Sequence, residues 1–211
     1  MAKKLFITAT NTNIGKTYAS IKILKKLGSL GVKIGAIKPI ETGVSNIPQD
    51  AKELLTVVKQ YNNNFQNFKP QDICAYSFTL PAAPFCATKK EINIAKIEAK
   101  ISQLESLCDF LLIEGAGGLM VPINKDFFMI DLIKKLNTPA LLVTPSHLGC
   151  INETMLSLNI LQNANIKHNW CINLYKEKQS FHTTTKPFYN AYFKNWQYLD
   201  EFVDSLDIQK L

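Results

Sequence analysis

Gly15-Lys16-Thr17, near the start of this 211-residue chain, sets side by side a residue without a side chain, a point positive charge and a hydroxyl. That order suits a phosphate group. The glycine lets backbone approach an oxygen closely, the lysine neutralises terminal phosphates, and the hydroxyl can ligate a hard divalent cation. The tripeptide closes the stretch Ala9-Thr10-Asn11-Thr12-Asn13-Ile14-Gly15-Lys16-Thr17. An apolar run at residues 5–9 precedes it, and Ala19, Ile23, Leu27 and Leu30 follow at helical spacing. Strand, loop and helix in that order place loop N–H groups and a helix N-terminus where phosphates are cradled. A strict phosphate-loop pattern would carry a glycine where this sequence has Thr10.

Other candidate groups sit where strands should end. Residues 33–40 read as a strand that stops near Pro39, which leaves Lys38 at its C-terminal end. Residues 109–114 read as a buried strand ending in Glu114, with Gly115, Gly117 and Gly118 as a tight turn. Strands are also expected at 139–144 and 170–173. Helices are expected from Asp50, as a cap, to about Tyr61, where Asn62-Asn63-Asn64 breaks the pattern, and over 94–107, 130–136, 152–161 and 199–206. Between Tyr175 and the last helix no element is assigned. Apolar strands alternating with amphipathic helices predict an α/β fold: one doubly wound, mostly parallel sheet with helices on both faces. The loop after its first strand resembles that of the P-loop NTPases. Ligands in such sheets sit at the C-terminal ends of strands.

The length fits one domain over residues 1–211. Hydrophobic residues make up 46% and charged residues 19%, a globular composition, and the start lacks a secretory apolar segment. A cytoplasmic protein that neither spans nor binds a membrane is expected. The five cysteines show no metal or disulfide spacing and read as reduced thiols, and His147, His168 and His182 show no metal spacing. The net charge of +7 comes from dispersed lysines rather than a basic block, which gives no reason to expect nucleic acid as a partner.

The loop, Lys38-Pro39, Asp50-Ala51, Glu114-Gly115-Ala116-Gly117-Gly118 and Leu148-Gly149-Cys150-Ile151-Asn152, in this order, resemble the dethiobiotin synthetase family. The match covers about three quarters of the chain and is lost beyond Asn173. The resemblance implies ATP and Mg²⁺ as cofactors, 7,8-diaminononanoate and CO₂ as substrates, and a homodimer. It also implies roles. Lys16, Lys38 and Thr12 would serve catalysis, with Lys38 and Thr12 at a carbamate. Asn13, Ile14, Gly15, Lys16, Thr17, Glu114, Gly117 and Asn173 would hold the nucleotide, Asn173 at its base. Thr17, Asp50 and Glu114 would hold the metal. Thr12, Lys38, Thr42, Gly149, Cys150, Ile151 and Asn152 would hold the substrate, the last four receiving its carboxylate near the partner subunit. Ala9 stands where the family has glycine, and a positive φ there would cost about 1 kcal/mol.

A partition-type switch ATPase that binds DNA or membrane is the alternative reading. Such proteins carry an extra lysine early in the loop, whereas no lysine lies between Ala9 and Gly15. Residues 200–211 hold four acidic residues against one lysine, the wrong charge for a membrane-surface helix.

Overall fold

A computed structural model describes residues 2–207; Met1 and residues 208–211, the end of the acidic C-terminal stretch, lie outside the described residues. The elements run β1 (Lys3–Ala9), α1 (Lys16–Ser29), β2 (Ile34–Ile37), β3 (Ile40–Thr42), α2 (Gln49–Tyr61), β4 (Tyr76–Phe78), α3 (Pro84–Ala87) and α4 (Ile94–Glu105). They continue through β5 (Phe110–Gly118), β6 (Pro122–Asn124), β7 (Phe127–Phe128), α5 (Met129–Leu136), β8 (Ala140–Thr144) and α6 (Cys150–Asn163). The last are β9 (His168–Ile172), α7 (Lys178–Ser180), α8 (Lys186–Tyr192) and α9 (Leu199–Asp204).

Five strands form one sheet in the order β2-β5-β1-β8-β9, and every pairing in it is parallel. All five therefore end at the same edge of the molecule. The strand β8 and residues Leu5–Ala9 of β1 are buried without interruption, as side chains pointing to both faces must be when helices cover both. Phe6, Ile7, Leu111, Leu112, Leu141 and Leu142 form the middle of the core, and Ile23 and Leu27 of α1 close over it. Among the described residues no helix is long and apolar enough to cross a membrane.

The doubly wound parallel sheet expected from the sequence is present, with differences at particular joints. The expected strand at 33–40 is two: β2 stops at Ile37, Pro39 intervenes, and β3 leaves to pair with β4, which the sequence reading missed. Asp50 is not the cap of α2. Pro48 holds that position, and Asp50 lies in the first turn. The glycines after Glu114 do not make a turn either, because β5 continues through Gly118. Pairing with β1 steps from Ile7↔Glu114 to Ala9↔Gly118, four residues of β5 against two of β1, so residues 115–117 bulge. A Cβ on Gly118 would lie 2.7 Å from the Thr10 carbonyl oxygen, so it is close backbone approach that excludes a side chain there. Ala9 is buried at the end of β1 and is not among the positive-φ residues, so the strain foreseen for it does not arise.

The unassigned region after Tyr175 folds around rings. Cys150, Ile172, Phe181 and Tyr189 form a second buried cluster against which Trp170, Phe193, Trp196 and Tyr198 pack. Tyr189 donates its hydroxyl to Thr154 Oγ1 at 3.0 Å, which ties the cluster to α6. These aromatic residues anchor the last strand and the C-terminal helices.

Candidate active site

The loop between β1 and α1 turns on two left-handed residues, Asn13 at φ 60° and Gly15 at φ 101°. Asparagine tolerates that conformation better than most side chains, which suits it to the first of them. Side chains hold the loop's carbonyl oxygens: Asn11 O accepts from Lys16 Nζ at 3.0 Å, Asn13 O from the Tyr175 hydroxyl at 2.8 Å and Ile14 O from Asn173 Nδ2 at 2.8 Å. The Thr10 and Thr12 N–H groups are also taken, by Val143 O and Asn11 Oδ1, so the donors suited to an anion are those of the later part of the loop, before the N-terminus of α1.

Lys38, just past the end of β2, sends its ammonium between two carboxylates. Nζ lies 2.7 Å from Glu114 Oε1 and 2.7 Å from Asp50 Oδ2, and it also donates to the Gly115 carbonyl at 3.2 Å. Thr17 donates its hydroxyl to Glu114 Oε1 at 2.8 Å, and Ser20 donates to Glu114 Oε2 at 2.7 Å. Glu114 is 0% exposed and Lys38 3%, so their contact is buried, whereas the Asp50 side chain is 38% exposed and reaches the cluster from its open side. Burial pulls the Lys38 pKa down, but the charges of Glu114 and Asp50 outweigh it and leave it well above the ordinary lysine value. Burial likewise opposes ionisation of Asp50, yet Lys38 and Thr17 hold its carboxyl below the usual value. Lys16 goes the other way. Burial first, and then the charge of Lys38, lower its pKa to about 8 despite the counter-pull of Glu114 and Asp50.

These groups open on a cavity of about 350 Å³ lined by Thr12, Asn13, Gly15, Lys16, Thr17, Lys38, Glu41, Thr42, Asp50, Ala116 and Gly117. Glu114 lies beneath it, bonded to Lys38 and Thr17. A second cavity of about 690 Å³ shares Asn13 and Gly15 with the first and is lined further by Tyr18, Asn173, Tyr175 and Asp200. Asn173 thus joins the loop to this second cavity, and Ile14 is buried under the loop. Gly149, Cys150, Ile151 and Asn152 line neither cavity. They sit at the start of α6, with the Cys150 N–H already donating to His147 O at 3.1 Å. Burial raises the Cys150 pKa, so its thiol is a poor nucleophile.

Ser20 and Glu41 were missed by sequence reasoning. Ser20 lies one helical turn after Lys16, a spacing that puts both on one face of α1 and could have flagged it. Glu41 is an acidic residue beside Ile40 on a buried strand, which was a visible anomaly. Thr10, whose hydroxyl donates to Glu153 Oε2 of α6 at 2.8 Å, gave no sequence signal.

A phosphate-cradling loop, a buried lysine pair and two carboxylates at the C-terminal edge of a parallel sheet define a P-loop ATPase of the α/β type. Solved structures agree on that fold and show nothing beyond it. A plasmid partition protein from Borrelia burgdorferi superposes with a TM-score of 0.58 at 13% identity, covering 100% of this chain and 99% of that one. A ParA family ATPase from Chlorobium tepidum gives 0.52 at 10% identity, covering 97% and 90%. The family described as an AAA domain matches residues 3–174. Among curated proteins, the ATP-dependent dethiobiotin synthetase BioD of Sulfurovum sp. (strain NBC37-1) is 55% identical over 193 residues, 91% of this chain and 92% of that protein. The one from Wolinella succinogenes is 39% identical over 191 residues, 89% and 88%. The chain belongs to the ATP-dependent dethiobiotin synthetase family.

Proposed function

We propose that this chain is an ATP-dependent dethiobiotin synthetase, a ligase of biotin biosynthesis that takes 7,8-diaminononanoate and CO₂ as substrates. The observation that carries the reading is the pairing of two buried lysines, Lys16 and Lys38, across one small cavity behind a loop whose carbonyl oxygens are engaged. In this reaction a carbamate on one amine takes the γ-phosphoryl group of ATP. The second amine then attacks the carbamic-phosphoric anhydride, closing a cyclic urea and releasing phosphate. Each step gathers negative charge in one place, and positioned cations are what such a transfer needs.

The residues divide that work. Lys16 and the N–H groups of residues 13–17 hold the phosphates, with Asn173 at the base and Gly117 beside the loop. Lys38, kept charged by its carboxylate partners, serves as a fixed electrostatic group for the carbamate rather than as a proton acceptor. Thr12 and Thr42 line the same cavity and can donate to the carbamate and the diamine. Asp50 and Glu114 converge on the Lys38 ammonium and the Thr17 hydroxyl is bonded to Glu114, which gathers three hard oxygen donors into a set that fits Mg²⁺. Bound there, Mg²⁺ would screen the charge of the transferring phosphoryl group.

The diamine's distant carboxylate is assigned to the segment Gly149, Cys150, Ile151 and Asn152 at the start of α6, through its backbone N–H groups other than that of Cys150, which is held by His147 O. Because this segment lies outside the phosphate cavity, the reading includes a homodimer in which the partner completes the substrate site. One domain over residues 1–211 and a cytoplasmic location are part of the same reading.

Phosphate release from Mg-ATP with bicarbonate, with and without 7,8-diaminononanoate, tests it. Release should require the diamine and fall at least about a hundredfold in a Lys38→Ala variant whose circular dichroism matches the parent. Release indifferent to the diamine would overturn the proposal, and stimulation by DNA or lipid would favour a switch ATPase.

A further inference from the structure

Helix α2 begins without a cap of its own. Pro48 occupies the N-cap position, its carbonyl accepting from Lys52 N at 3.0 Å, but its side chain has no acceptor. The N–H groups that an N-cap side chain would satisfy belong to the second and third helical residues. Here they go to a carboxylate from another element. Glu41 of β3 accepts from Asp50 N at 3.0 Å through Oε1 and from Ala51 N at 3.1 Å through Oε2. Glu41 is 6% exposed. Burying a carboxylate is costly unless its oxygens are satisfied, and a serine or aspartate at position 48 would cap the helix more simply. Capping alone does not explain this arrangement.

Connectivity does. Lys38, Pro39, Ile40 and Glu41 are consecutive, and Asp50 Oδ2 lies 2.7 Å from Lys38 Nζ. The segment that delivers Lys38 to the cavity therefore also grips the backbone of Asp50, closing a ring from Lys38 to the Asp50 side chain, to its backbone and back through Glu41. Glu41 lines the cavity as well. We propose that Glu41 is a positioning residue that fixes the start of α2 so that the Asp50 carboxylate faces the divalent-cation site beside Thr17 and Glu114. This rests on the reading above that Asp50 is a metal ligand.

The test compares Glu41→Gln, Glu41→Ala and Asp50→Asn with the parent in a Mn²⁺ titration in the presence of ADP, followed by electron paramagnetic resonance. Thermal midpoints are measured alongside, as is the Mg²⁺ concentration giving half-maximal turnover. Glu41→Gln keeps the shape and one acceptor, so it guards against failure of the alanine variant to fold. Expected is Mn²⁺ binding weakened about tenfold in Glu41→Gln, the usual order for loss of a group supporting a ligand, with half-saturating Mg²⁺ rising in parallel. A lowered thermal midpoint with unchanged Mn²⁺ affinity, while Asp50→Asn binds weakly, would reduce Glu41 to a helix cap and overturn the inference. Unchanged affinity in Asp50→Asn would instead remove Asp50 from the metal set, and the inference with it. The titration needs no turnover, so failure of the parent to form dethiobiotin would count against the proposed reaction alone.

Discussion

Lys16 and Lys38 are both buried ammonium groups, yet their surroundings move them in opposite directions. Lys38 has two carboxylates at 2.7 Å, whereas the hydrogen bond of Lys16 runs to the neutral Asn11 carbonyl. Burial and the neighbouring charge therefore dominate at Lys16 and bring its pKa to about 8. Below about pH 8 the free protein presents an ammonium to phosphate, and above it the group must first gain a proton. Phosphate raises the lysine pKa on binding, so affinity should fall with rising pH, by up to about tenfold per unit above pH 8. Calorimetric titration with ADP, without divalent metal, from pH 7 to 9.5 checks this; a flat profile would contradict it. The sequence made Lys16 legible through the order Gly15-Lys16-Thr17 between a strand and a helix, and Lys38 because it stands where a strand ends. Glu41 and Ser20 were not legible as partners. Spacing puts Ser20 on the same helix face as Lys16, but its bond to Glu114 spans 94 positions, and local spacing does not report that partner.

At the scale of elements, hydrophobic period was a good guide to the sheet and a poor one to its irregularities. Uninterrupted apolar runs marked β1, β5 and β8, because strands buried on both faces need them. The glycines after Glu114 looked like a turn, since both a turn and a bulge ask for small residues and the two cannot be told apart from composition. The fold after Tyr175 was hidden for another reason: it is held by ring packing among residues such as Phe181, Tyr189 and Trp196, which has no sequence period. The bulge has a consequence for the loop. Gly118→Ala would place a methyl group 2.7 Å from Thr10 O and 3.3 Å from Ala9 O, both backbone atoms that cannot rotate away. We expect a loss of about 1–3 kcal/mol in urea denaturation. ADP affinity should weaken with it, since Thr10 opens the phosphate loop. A variant that loses stability but keeps full ADP affinity would show that the bulge does not set the loop.

At the scale of the whole molecule, the proposed substrate site is divided. The cations and carboxylates gather at one cavity, while the α6 segment assigned to the substrate carboxylate lines neither that cavity nor its neighbour. Leu148, immediately before that segment, is 82% exposed, and Leu156 on the same helix is exposed as well. An apolar side chain so fully exposed beside a proposed carboxylate site is what a second copy would cover in the proposed homodimer. Leu148→Asp should therefore act on association and on the diamine rather than on the nucleotide. Loss of one buried leucine contact costs about 1.5–3 kcal/mol, enough to raise the dimer dissociation constant by roughly tenfold or more. In sedimentation at micromolar concentration the variant should shift towards monomer. ADP affinity should hold within about twofold, because the loop lies wholly within one chain, while KM for 7,8-diaminononanoate rises by roughly tenfold at the same concentration. Raising the protein concentration should then restore KM, since mass action returns the partner's half of the site. A monomeric variant with unchanged KM would place the whole substrate site within a single chain, and a variant that stays dimeric would move the interface away from α6.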